Sequence, residues 1–208
     1  IFMAIISHIL HKKTFKGIQS MLKTTILITI LTLSLFLQAC SKEKEKENSS
    51  QANSVIAKNE YVLTGLDAKQ YVITKEANGF ELVGAKGKVI IFDIFATWCP
   101  PCKATAPHLS SLQKKYKDDL VVIGITIEDN LPNQKLLDFR KDYNADYVLV
   151  NSTQNRRLVN AITRNLELGD SYPIPIMAIY KDGKLVEKYV GLVEEEFVQS
   201  DIKKALGK

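Results

Sequence analysis

The feature that most constrains this chain is an apolar run, Val89-Ile90-Ile91-Phe92-Asp93-Ile94-Phe95-Ala96, leading straight into Trp98-Cys99-Pro100-Pro101-Cys102. A segment apolar on both faces, broken only by Asp93, reads as a strand covered on both sides of a sheet. The polar, amphipathic stretch behind it, Lys103 to Lys117, reads as a helix. Two cysteines therefore fall where a buried strand hands over to a helix, Cys99 at its start and Cys102 one turn in. Backbone N–H groups at a helix N-terminus lack intrahelical partners, and the aligned peptide dipoles favour negative charge there. A thiolate at Cys99 is stabilised by that position and becomes a nucleophile toward disulfides, with Cys102 near enough to resolve the mixed disulfide.

Two other uses of the spacing stay open. A structural zinc site normally takes four ligands. The chain has three cysteines and three histidines, and of the histidines only His108 lies beside the pair, since His8 and His11 precede the folded part. An inert structural disulfide is the second alternative. The redox dithiol is the reading favoured over both.

Charge is unevenly laid out. Four of the 28 lysines and arginines and none of the 23 acids lie in residues 1–39, so from residue 40 onward 24 basic residues face 23 acidic ones. That balance gives no basic excess of the kind nucleic-acid binding requires. Met21-Leu22-Lys23 makes a short positive start, Ile26 to Leu37 an apolar run, and Leu37-Gln38-Ala39-Cys40 an abrupt end. Such a run reads as a secretory signal rather than a spanning helix. Residues 1–39 are thus expected to be a leader whose signal peptide begins at about residue 21, with residues 1–20 upstream of a start at Met21 and Met3 as the alternative start. The end of the run resembles a bacterial lipoprotein signal. That resemblance implies cleavage before Cys40 and lipid on its sulfur, leaving two cysteines for chemistry. An uncleaved anchor and a released protein are the alternatives.

Residues 40–54, through SKEKEKENSSQANS, have no apolar periodicity and alternate in charge, which predicts a disordered tether. The folded domain is expected over 55–208, with no internal repeat and no second domain. Tyr61–Thr64, Gln70–Thr74 and Phe80–Leu82 read as short extended pieces. After the central strand and its helix come a strand over Leu120–Ile127, a helix over Gln134–Tyr143, a strand over Tyr147–Val150 and a helix over Asn155–Leu166. Ile176–Tyr180 and Leu185–Val190 form a hairpin around Asp182-Gly183. A last helix, Glu194–Leu206, carries Phe197, Val198, Ile202 and Leu206 at spacings suited to one buried face. Pro107 is expected to kink the helix it occupies. The order predicts an α/β fold with a central mixed sheet flanked by helices, preceded by a short β extension.

The residues Phe92 through Cys102 with Pro107, then Ile174-Pro175 followed by an apolar strand and Lys181-Asp182-Gly183-Lys184, resemble the thioredoxin-like superfamily. Within it the chain is similar to exported TlpA/ResA-type thiol-disulfide oxidoreductases over roughly residues 60–206. The resemblance implies a thioredoxin-like fold, Cys99 as attacking thiolate and Cys102 as resolving thiol. It identifies Pro175 with the family's cis-proline, so that Ile174 offers backbone hydrogen bonds to an extended substrate. Asp93 matches a buried acid beneath the cysteines. Desolvation raises the pKa of a carboxylate in an apolar strand, which suits it to take a proton from Cys102; an acid at a strand edge reached by water is the other reading.

Trp98, Pro100 and Pro101 are expected to shape a docking surface, with a purely packing Trp98 as the alternative, and His108 is expected to be exposed. No metal and no cofactor is implied. The partners implied are exported clients with disulfides or cysteine pairs, a membrane protein that supplies electrons, and the bilayer through Cys40. The resemblance leans toward reduction, with cytochrome c maturation as one setting. The alternatives are an oxidant or isomerase of exported proteins and a non-catalytic binding lipoprotein on the same scaffold. Ser41 after the lipid cysteine resembles an outer-membrane sorting signal, whereas an electron-fed reductase fits the inner membrane, so the choice of membrane stays open.

Overall fold

The computed structural model of the chain describes residues 59–169 and 171–208. The leader, Cys40 and the tether lie outside the described residues. The elements run β1 (Glu60–Thr64), β2 (Gln70–Glu76), β3 (Gly79–Leu82), β4 (Val89–Phe95), α1 (Pro100–Lys115), β5 (Leu120–Thr126), α2 (Asn133–Asp142), β6 (Val148–Val150), α3 (Asn155–Asn165), β7 (Ile176–Lys181), β8 (Lys184–Val190) and α4 (Glu195–Ala205). Among the described residues no helix is long and apolar enough to cross a membrane.

Five strands form the central sheet in the order β6-β5-β4-β7-β8. β4 lies in the middle, parallel to β5 and antiparallel to β7, and every one of its seven residues is buried. That burial explains the near-continuous apolar run, because neither face of the strand meets water. The β7–β8 hairpin turns at Asp182 and Gly183, both with positive φ (47° and 74°), the backbone that a two-residue type I′ turn demands.

Side chains alternate across β4. Val89, Ile91 and Phe95 point into a core shared with α1 (Ala106, Leu109, Leu112), α2 (Leu136, Phe139) and α4 (Val198, Ile202). Ile90, Phe92 and Ile94 point into the opposite core. That second core is closed by α3, through Leu158, Val159 and Ile162, and by β1–β3, which form a separate antiparallel sheet. Phe80 of β3 meets Phe92 and Tyr180 edge-on, at centroid distances of 6.4 and 5.6 Å, the geometry aromatic quadrupoles favour. The extension thus does the covering work of a helix on this face. It also ties to the sheet margin at β6, where Asn151 N–H donates to the Thr64 carbonyl and Leu66 N–H to that of Leu149.

α1 begins at Pro100, directly after Cys99 as expected, since a proline in the first turn forfeits only an N–H that has no helical partner. It runs through Pro107 to Lys115. One local expectation changes. On α4, Val198 and Ile202 are buried as expected, but Phe197 is 62% exposed and Leu206 only half-buried. Residues 198 and 202 are four apart and define the inward face; residue 197 sits about 100° around the helix from 198.

Candidate active site

Cys99 is the N-cap of α1, in extended backbone conformation (φ −80°, ψ 115°), followed by Pro100 and Pro101 in the first turn. Neither proline has an N–H, so the first backbone donor of the helix belongs to Cys102. It points at Cys99 Sγ from 3.3 Å. The next donor, Lys103 N–H, goes to the Cys99 carbonyl at 3.1 Å. The two prolines therefore leave one helix-terminal N–H for the sulfur and hold it there. Cys99 and Cys102 are joined as a disulfide with Cα atoms 5.3 Å apart, and both are almost fully buried.

The loop before β7 closes over the pair. The Ile174–Pro175 peptide bond is cis, and the Ile174 carbonyl oxygen lies 3.7 Å from Cys99 Sγ. Pro175 is buried, its carbonyl accepting from Gly191 N–H at 2.8 Å, and Ile174 is half-buried. Trp98 is 63% exposed, which removes the purely packing reading of that side chain. Pro100 is exposed and Pro101 half-buried. His108 is half-buried rather than exposed, with no protein partner at Nδ1.

Asp93 is 3% exposed at the middle of the central strand, so it is not an edge acid reached by water. Strand alternation puts it on the α1 face, in line with Val89, Ile91 and Phe95. Its Oδ2 accepts from the Tyr147 hydroxyl at 3.0 Å, while Oδ1 has no protein partner. Burial raises its pKa from 3.8 to about 7, against the smaller opposing effect of the Tyr147 hydrogen bond.

Two residues at this site had no signal in the sequence. Tyr147 read only as the apolar start of a strand, and nothing local ties it to a residue 54 positions earlier. Glu128 lay just beyond the strand expected over Leu120–Ile127 and was not singled out; its carboxylate accepts from Thr97 N–H and Oγ1 and from Thr126 Oγ1, gripping the turn just before Trp98-Cys99. Beside Glu128 opens a cleft of about 660 Å3, lined in part by Asp129, Leu131, Asn151 and Arg156.

A buried dithiol pair capping a helix, faced by a cis-proline loop on a mixed sheet, defines the thioredoxin-like class of fold and site. Comparison with known proteins narrows it. Residues 64–206 match the model of the Redoxin family, and the chain belongs to that family. It is 29% identical over 153 residues to the thiol-disulfide oxidoreductase ResA of Bacillus cereus, covering 71% of this chain and 82% of that protein. A thiol:disulfide interchange protein of the thioredoxin family from Chlorobium tepidum superposes with a TM-score of 0.55 at 21% identity, covering 72% of this chain and 94% of that one. The exposed lipoprotein thioredoxin of Streptococcus pneumoniae does so with a TM-score of 0.51 at 23% identity, covering 70% and 98%. The chain is a TlpA/ResA-type thiol-disulfide oxidoreductase carrying a Cys99–Cys102 pair.

Proposed function

We propose that this protein is a membrane-anchored reductase of disulfides in exported proteins, with Cys99 as its nucleophile. The observation that carries this reading is the Cys102 N–H held on Cys99 Sγ by a helix start that offers the sulfur no other donor. A donor so placed favours the thiolate over the thiol. In the reduced protein the Cys99 thiolate attacks one sulfur of a client disulfide. The client S–S bond breaks, a mixed disulfide forms, and the departing client thiolate takes a proton.

Asp93, ionised, then accepts the proton of Cys102. The Cys102 thiolate attacks Cys99 Sγ, the second client sulfur leaves as a thiolate and takes a proton, and two electrons have passed from the protein to the client. The resulting Cys99–Cys102 disulfide must be reduced again by two electrons and two protons, which we assign to a membrane-embedded donor protein. Trp98, Pro100 and Pro101 on the helix side and Ile174 and Pro175 on the loop side form the docking edge. Ile174, whose carbonyl already reaches the sulfur, supplies backbone hydrogen bonds to an extended client segment.

The leader through residue 39, lipid on Cys40 and the 41–54 tether would hold the domain, residues 55–208, on the extracytoplasmic face of a bacterial membrane close to that donor. Apocytochrome c, whose haem-binding thiols must be kept reduced, fits the client chemistry.

The test is the reduction potential of the Cys99–Cys102 pair in the full chain, with insulin reduction measured beside it. A potential near or below about −250 mV supports a reductase. A value near about −120 mV overturns it in favour of an oxidant of newly exported proteins. Absence of insulin turnover with any donor leaves a binding lipoprotein instead, and turnover that survives Cys99→Ser overturns Cys99 as the nucleophile.

A further inference from the structure

Asp93 stands directly opposite Gly124 of β5 and Met177 of β7 in the strand register. A Cβ at position 124 would lie 2.9 Å from Tyr147 Cε2 and 2.7 Å from Leu149 Cδ2. Gly124 therefore opens the space through which the Tyr147 ring reaches across β5 to β4. Tyr147 is itself buried, and its hydroxyl is spent on Asp93 Oδ2 at 3.0 Å. Oδ1 of the same carboxyl is buried without a protein partner. A buried acceptor atom left open carries a free-energy cost that a purely structural carboxyl would shed by finding a second donor. Here one oxygen is tied to Tyr147 and the other has no protein partner.

We propose that Tyr147 is a positioning residue for thiol–disulfide exchange. It clamps Asp93 by Oδ2, through the gap left by Gly124, so that Oδ1 is the atom that takes the Cys102 proton on the α1 face of the sheet. The inference rests on the proton-acceptor role proposed above for Asp93.

Neither Gly124 nor Met177 titrates, and α4 contributes Val198 and Ile202 to this face. Of the ionisable groups carried by α1, α2, α4 and β8, Cys99, Cys102, Tyr116, Tyr143 and Tyr189 lie in this core, His108 of α1 is half-buried, and Arg140 of α2 acts electrostatically on Tyr147. Arg140 donates to the Tyr147 carbonyl at 3.1 Å, fixing the residue by its backbone as well. A donor on Oδ2 stabilises the ionised carboxyl, so its removal moves Asp93 further from its ordinary acidity.

The experiment reacts the reduced full chain with oxidised glutathione and follows release of glutathione from Cys99 by quenched-flow mass spectrometry between pH 5 and 9. Wild type, Tyr147→Phe and Asp93→Asn are compared. The wild-type rate is expected to rise through a limb near the Asp93 pKa. Tyr147→Phe is expected to shift that limb up by about one pH unit, close to a tenfold loss at pH 6, with rates converging near pH 9. Asp93→Asn is expected to abolish the limb.

A limb that survives in Asp93→Asn overturns the proton-acceptor role itself. A limb lost in Asp93→Asn but unmoved in Tyr147→Phe overturns only the positioning role. Should Tyr147→Phe fail to fold, Gly124→Ala keeps the hydroxyl but crowds the ring, and an unmoved limb there overturns the proposal equally.

Discussion

The carboxylate of Glu128 accepts from the Thr97 backbone N–H at 2.7 Å and from the Thr97 hydroxyl at 3.0 Å. This two-point grip fastens the end of β5 to the turn that delivers Trp98 and Cys99. Glu128→Ala removes a charged acceptor from three donors and is expected to destabilise the fold by about 1.5–3 kcal/mol. Urea unfolding checks the stability. Trp98, the chain's one tryptophan, reports the loosened turn as a change in native fluorescence.

Asp93 makes stability depend on pH in a definite direction. With a pKa of about 7 in the folded chain and 3.8 as its ordinary value, the folded protein holds a proton between those limits that the unfolded chain has lost. Stability from this group is therefore full below about pH 4 and falls as pH rises toward 7, at about 1.4 kcal/mol per unit. In Asp93→Asn the penalty disappears. The variant is expected to gain a few kcal/mol over wild type at pH 8, on the order of the shift converted at that rate, and little at pH 4. Thermal melts of both oxidised proteins across pH 4–8 measure the difference, and parallel curves would contradict it.

The order of attack at the two cysteines is directly visible with a trapped client. Cys102→Ala is expected to accumulate a mixed disulfide on Cys99, because the resolving thiol is gone. Cys99→Ala is expected to accumulate none above background. Non-reducing gels and peptide mass mapping of the adduct decide it, and an adduct on Cys102 in the second variant would reverse the assignment.

Two apolar side chains separate core from surface. Leu112 of α1 is fully buried, and Leu112→Ala is expected to cost about 2–5 kcal/mol. Phe197 of α4 projects into solvent, and Phe197→Ala is expected to stay within about 0.5 kcal/mol of wild type. Denaturant midpoints at constant slope test both.

How legible the chain was differs from element to element. β4 was recognisable because a strand covered on both faces leaves an apolar run, broken here only by Asp93, and the Asp182-Gly183 hairpin because only a few residues tolerate two positive φ angles in succession. Phe197 was misplaced because an apolar residue at a nearly suitable helical spacing looks the same in sequence whether it turns in or out. The three-stranded β1–β3 sheet was legible as strands, but not as the cover of half the central sheet, since that depends on Phe80 meeting Phe92 and Tyr180.

The proline opposite came from the family resemblance; the sequence alone determined the dithiol, its place at a helix start and the acid in the strand before it. Each of these is written in contiguous residues whose backbone preferences and chemistry act locally. Only the tertiary structure decided what holds those groups. Tyr147 on Asp93, the space left by Gly124, and Glu128 on Thr97 join positions 23 to 54 residues apart. Such contacts follow from strand register and side-chain packing, and nothing in the local residue pattern encodes them.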